Sequence, residues 1–185
     1  MMLKAFIERT LRRQEEVTGE SVDYLRDLHS AAPGALWRFV CFLPMSRFRK
    51  SLPLEAQAVA RIAAVHAEDC GPCLQTVVNL MTKAGVAPQT LRAAVTRNLS
   101  AMDERTRTVF EFAEAIVHRD IRSEELRPLI ENWWGKAAIA DLALAIASTR
   151  VFPTVKRVMG YGQSCSRVTI GQETIRADLA KPQAA

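Results

Sequence analysis

The residues with the clearest chemical potential are Cys70, Gly71, Pro72 and Cys73, two thiols separated by a Gly-Pro pair. On the first turn of a helix, positions i and i+3 share a face. Their α-carbons then lie about 5–6 Å apart, inside the range a disulfide requires. Pro72 suits that turn, because the N–H it lacks has no intrahelical acceptor there. Unpaired backbone donors and the positive end of the helix dipole stabilise a thiolate at the same end. Such a thiolate attacks a sulfur or an oxygen, and the second thiol resolves the product into a disulfide. Glu68 and Asp69 work against this, since nearby negative charge raises a thiol pKa. His66, four residues before Cys70, is the candidate proton donor or positive partner. By position alone Cys70, nearer the helix end, is the better nucleophile.

Two other readings of the pair stay open. Free cysteines are often small buried hydrophobes with no chemistry of their own. His66, Cys70 and Cys73 also make three metal donors close together, but a structural zinc site asks for more. The remaining donors of those types are His29, His118, Cys41 and Cys165, and there is no second CxxC. No metal and no cofactor is therefore assigned, and four scattered cysteines do not make a disulfide framework.

The chain that must position this site has 185 residues, enough for one domain with a real core. A net charge of +5 raises the question of nucleic acid. The cations are dispersed, however, and the densest group, Arg47-Phe48-Arg49-Lys50, is too brief for a binding face. No nucleic-acid partner is expected. No apolar run reaches the roughly 18 residues of a membrane span; Ala35–Pro44 is short and interrupted by Arg38. The first residues alternate charged and apolar types with no signal-peptide core, so a cytoplasmic location is the default expectation, with no membrane partner.

Helical periodicity runs throughout. Leu3, Phe6, Ile7 and Leu11 predict a first helix to about Val17, stopped by Gly19. Ser21 is the expected cap of a short second helix, Pro33 opens a third that ends near Leu43-Pro44, and Pro53 opens an alanine-rich fourth. The segment from Cys70 to about Lys83 follows, closed by Gly85 as a left-handed residue. Pro88 starts another helix, and Ser100 is the expected cap of the next. Ser123 begins a helix ending around Trp133-Trp134-Gly135. A long apolar helix comes after it, kinked or ended at Pro153 and stopped by Gly160-Tyr161-Gly162. That apolar helix is either the central helix of the domain or a buried interface between subunits. One extended piece is predicted at Arg167–Ile170, then a loose tail. No two β-branched runs are placed to pair, so the expected class is all-α. Its parts are an N-terminal helical extension over residues 1–53, a core over 54–162 and a partly flexible segment over 163–185.

Thioredoxins contain the same Cys-Gly-Pro-Cys, but there it follows a strand of a βαβ unit. Here it follows the helical Ala56–Ala67, which argues against that fold. From about Leu54 to Val117 the chain instead resembles the alkylhydroperoxidase D-like superfamily, which includes carboxymuconolactone decarboxylases. The resemblance rests on the alanine-rich helix, the CxxC at the start of the next helix, and the stretches Leu74–Val86, Pro88–Ala94 and Asp103–Val117 in that order. It implies a multi-helix bundle, homo-oligomers built by helix packing, and peroxide reduction or disulfide exchange at the CxxC. It further implies that Cys73 attacks and Cys70 resolves, with a dithiol protein or small thiol restoring the pair.

The sequence departs from the family at two relay positions. A histidine four residues after the second cysteine is replaced by Val77, and a glutamate twelve residues before the first by Ala58. Glu55 and His66 stand one turn from Ala58 and from Cys70, which makes a rearranged relay conceivable. The functional expectation is a thiol–disulfide oxidoreductase with peroxidase-like, antioxidant potential. The alternative is a non-catalytic oligomeric redox sensor, or a protein that binds a small ligand near Trp133, Trp134 and Tyr161.

Overall fold

The computed structural model describes residues 2–163 and 166–177, so Cys165 and the tail after Ala177 lie outside the described residues. Helices α1 (Met2–Thr18), α2 (Asp23–Ala31) and α3 (Pro33–Arg47) come first. They are followed by α4 (Leu54–His66), α5 (Gly71–Lys83) and α6 (Pro88–Val95), then a 3-10 turn at Leu99–Ala101, α7 (Glu104–His118) and α8 (Arg122–Val158). A short antiparallel hairpin, β1 (Arg167–Ile170) and β2 (Glu173–Arg176), ends the described chain. The class is all-α.

α4 sits at the centre. Every residue from Ala56 to His66 is buried, and the helix packs against α5, α6, α7 and α8. Its small side chains permit this, because alanine and valine let several helix axes approach at once. Leu74, Leu91, Phe110, Ile130 and Leu142 close the core around it. Burying a leucine- or phenylalanine-sized side chain is worth about 1.5–3 kcal/mol, so this cluster is the main source of stability. The apolar second half of α8 buries Ala138, Leu142, Ala145 and Ile146 on one face and exposes Ala143 and Ala147 on the other. One stretch of α8 is long and apolar enough, by length and composition, to cross a membrane, and 44% of it is buried within the molecule.

Residues before Pro53 pack on the same chain. Leu11, Val22, Tyr24, Leu25 and Leu36 form a second apolar cluster with Val155 and Met159 at the end of α8. Arg26 joins α2 to α1 through Glu15 at 2.6 Å and Glu8 at 3.1 Å. The end of α1 is fixed to α5, where Asn79 donates to the Thr18 carbonyl at 2.7 Å. Gly19 follows with φ 74, and a Cβ there would lie 2.5 Å from the Asn79 amide nitrogen. That close approach, together with the left-handed backbone, explains why the helix stops at a glycine.

Several local expectations need correcting. Asp103, not Ser100, caps α7, accepting from the Arg105 and Thr106 amides at 3.0 and 3.1 Å. Ser100 belongs to the 3-10 turn, three residues before the position that caps the first free amides of α7. Pro153 does not end α8, which runs on to Val158. The sharp interruption is at Gly135, as expected from the sequence: its φ 77 and ψ 171 leave the helical region and divide α8 into two arms. The predicted extended piece at Arg167–Ile170 has a partner after all, with Val168 opposite Ile175 across the turn at Gly171. Strands of four residues survive because Val168 and Ile170 are buried on the core, and because the Gln75 side chain bonds both backbone groups of Thr169. α5 closes as expected, with Gly85 at φ 99 and the Val86 amide on the Met81 carbonyl at 3.0 Å.

Candidate functional site

Cys70 is the N-cap residue of α5, extended at φ −126, and Cys73 is the third residue of the helix. The two sulfurs are joined in a disulfide with α-carbons 5.2 Å apart, as the i, i+3 spacing predicted. Both residues are nearly inaccessible, at 3% and 5% exposure. The Gly71 amide donates to the Gln163 carbonyl at 3.3 Å, so the segment after α8 lies against the start of α5. Pro72 occupies the first turn.

The acidic residues that precede the pair are not both open charges. Glu68 is buried and accepts from Arg150 at 2.6 Å, with Arg157 at 3.7 Å, both from α8. Arg157 also donates to the Glu68 carbonyl. Two guanidiniums on one carboxylate offset the charge of Glu68, so this acid does not stand as an open negative charge beside the thiols. Asp69 holds the chain at φ 46, turning it from the end of α4 into α5.

His66, the candidate proton donor or positive partner of Cys70, is enclosed in the core. The side chain is 1% exposed and stands edge-on to the Phe110 ring of α7, with centroids 6.3 Å apart. Both ring nitrogens are buried without a hydrogen-bond partner. Burial, reinforced by the Arg97 guanidinium, holds its pKa down at about 3, so the ring is neutral at any physiological pH. Because α4 is buried all round, one turn of sequence separation from Cys70 did not reveal which neighbouring helix His66 meets.

This gives a first expected result. Between its ordinary value near 6.5 and about 3, the unfolded chain binds a proton at His66 that the folded chain refuses, so stability rises with pH in that window. The contribution is fully present above pH 6.5 and about 2 kcal/mol of it is gone by pH 5. His66→Phe, measured by urea unfolding at pH 7.5 and pH 5, should recover that loss at pH 5. It should leave the rate of Cys70–Cys73 oxidation unchanged within about twofold. A large fall in that rate would restore His66 to the thiol chemistry.

Cys73, unlike Cys70, lines a cleft of about 400 Å³ between the N-terminal helices and the core. That volume lies within the range of small-ligand sites. Its apolar walls include Leu11, Val40, Val65, Val77, Met81 and Phe152. Val77, at one relay position, is part of this wall, and Ala58, at the other, is wholly buried. Neither supplies a proton-transfer group. Arg61 and Lys156 also line the cleft, both buried, and neither was singled out from the sequence. The signal for Arg61 was there, as a lone charge within the small apolar residues of α4.

Trp133 and Trp134 do not share a site with Tyr161. The two indoles stack edge-on at 5.6 Å beneath the Arg105 guanidinium. Tyr161 donates to Asp27 beside the second cluster, and none of the three lines the cleft. Among the described residues no three His, Cys, Asp or Glu side chains converge as a ligand set.

No protein-family description and no curated protein matches this sequence. A solved structure does. A cysteine-to-alanine variant of the debrominase Bmp8, crystallised with 2,3,4-tribromopyrrole, superposes with a TM-score of 0.68. The match covers 86% of each chain at 17% identity. The two proteins share a fold. The likeness therefore supports the all-helical scaffold implied by the resemblance to alkylhydroperoxidase D-like proteins, and at this identity it says nothing further about chemistry.

Proposed function

We propose that this protein is a dithiol oxidoreductase in which Cys73 meets the substrate and Cys70 resolves the product. The observation that carries the reading is the closed Cys70–Cys73 disulfide with Cys73, and not Cys70, in the wall of an apolar cleft. With a hydroperoxide ROOH, the Cys73 thiolate takes the terminal oxygen, breaking the O–O bond and releasing ROH once the alkoxide is protonated. The Cys70 thiol then displaces hydroxide from the resulting sulfenic acid, forming the disulfide and water. With a disulfide substrate, Cys73 forms a mixed disulfide and Cys70 releases the second thiol. Either way two protein thiols are oxidised, and an external dithiol returns both electrons and both protons.

Disulfide exchange needs no relay beyond the two thiols, whereas rapid peroxide reduction gains from a placed acid. With Ala58 and Val77 apolar, exchange is the better-supported activity. The same absence favours one second reading, a redox sensor that is oxidised once and waits for a reductant.

The decisive experiment counts free thiols by mass spectrometry while the protein is given a disulfide or a hydroperoxide together with excess dithiol. A halogenated pyrrole belongs in the same panel, because an apolar cleft of this size admits a flat ring. Reversible loss of two thiols, with many substrate equivalents consumed per chain, is the expected result. Oxidation that stops after one equivalent would establish the sensor. Thiols that neither form nor exchange the disulfide would make the pair structural and end the enzyme reading.

A further inference from the structure

Arg61 is a charge in an apolar place. It is the one charged residue between Ala56 and Val65 on the most enclosed helix of the fold, and it is 8% exposed. Its guanidinium donates to the Ser46 carbonyl, while its Nε is buried without a partner. Among the described residues no carboxylate pairs with it. Burial alone lowers its pKa, to about 10, so it remains a cation at neutral pH. A buried charge without a counter-ion is costly enough that folds seldom retain one without use.

Arg61 lines the cleft that Cys73 also lines. The other ionisable side chains there, cysteine and tyrosine aside, are Arg47, Arg49, Lys156 and Glu20. Four cations thus face one acid, and Lys156 interacts electrostatically with that acid. The rest of the wall is mainly aliphatic and aromatic. An anionic head with an apolar body matches this arrangement, since the head meets Arg61 and the body meets the wall.

We propose that the cleft binds an amphipathic carboxylate, its carboxylate on Arg61 and its apolar body lying along Val65, Val77 and Phe152 toward Cys73. For what Cys73 then does, the inference rests on the dithiol reading, and it makes the substrate a hydroperoxide or disulfide that carries a carboxylate. Binding itself does not depend on the thiols. Fatty and aryl acids share the chemistry, and the test separates them.

Isothermal titration of the full-length, oxidised protein with octanoate, 2-naphthoate and 1-octanol reads the site directly. At least one acid should bind tenfold or more tighter than the alcohol, and whichever acid binds tighter names the source. Arg61→Gln should weaken that acid at least tenfold and leave the alcohol unchanged, while Arg61→Lys keeps most of the affinity. Arg61 also holds the Ser46 carbonyl. If the glutamine variant fails to fold, the acid–alcohol comparison in the wild type and the lysine variant decide. Equal binding of acid and alcohol, or binding of neither, overturns the proposal. Acid binding without thiol cycling would sink the oxidoreductase and keep the acid site, and the converse would do the reverse.

Discussion

Cys73→Ser should reduce turnover of a disulfide or hydroperoxide by roughly a thousandfold or more, whereas Cys70→Ser should still complete one attack and then stop. The asymmetry follows from where the two sulfurs stand. Cys73 lies in the wall of the cleft, and Cys70, the N-cap, does not. Helix electrostatics alone ranks them the other way, because Cys70 is nearer the positive end. The cleft decides, since both thiols are buried and only Cys73 borders a space that a substrate can fill. In Cys70→Ser the remaining Cys73 has no resolving partner. Exposed to a disulfide it should accumulate as a mixed disulfide of one equivalent, visible as a single added mass. Exposed to peroxide it should stop as a sulfenic acid that a dimedone-type reagent captures. If Cys70 carries the adduct in Cys73→Ser instead, the assignment of roles is reversed.

The largest expected effect on stability belongs to a residue far from the thiols in sequence. Asp141 is fully buried in α8, and one carboxylate oxygen accepts three backbone N–H groups, from Lys50, Ser51 and Leu52, at 2.9, 2.7 and 2.9 Å. Those residues join α3 to α4, so the carboxylate fixes the entry to the helix that carries Arg61. Asp141→Ala leaves three donors without their acceptor in a tight place and should cost about 3–5 kcal/mol. At this chain length that is a fall in Tm of roughly 10 °C. Asp141→Asn keeps an acceptor oxygen but loses the charge, and should cost about half as much.

The pH dependence checks the cause. Burial pushes the Asp141 pKa up, but the three amides and nearby Arg49 outweigh it, and the net direction is downward. A depressed carboxylate contributes stability that is present above the unfolded value near 4 and lost as pH falls through the folded one. Asp141→Ala should therefore flatten the stability curve below pH 4. His66→Phe should flatten it from pH 6.5 down to about pH 3, mostly above the range in which Asp141 acts. Two variants that flatten different parts of the curve would show that acid lability here has two separate origins. If Asp141→Ala unfolds at the wild-type denaturant midpoint, the three-donor clamp contributes nothing.

Much of the helical order was legible because its signals are local. Pro88, Gly85 and Gly160 restrict or release the backbone at their own positions, and the structure uses each as a boundary. Where a local rule failed, a nearby competitor had won. Asp103 displaced Ser100 as a cap because its carboxylate reaches the Arg105 and Thr106 amides. The hairpin was missed although Val168, Thr169 and Ile170 alternate before Gly171, with Thr174 and Ile175 after it. Runs that short are stable only with a side chain such as Gln75 on the edge strand and a core beneath it, and sequence spacing shows neither.

By itself the sequence determined that two thiols three residues apart begin a helix, and that their spacing permits a disulfide. Backbone geometry fixes that relation whatever surrounds it. Only the tertiary structure decided which thiol faces a cleft, that His66 turns to Phe110, and that Glu68 is neutralised by α8. It also decided what the lone charges in apolar helices are for. Asp141 found three backbone donors, and Arg61 found one carbonyl and the wall of a cleft. A helix defines which residues share a face, but the direction of that face is set by the neighbours against which it buries its apolar surface, and those come from distant parts of the chain.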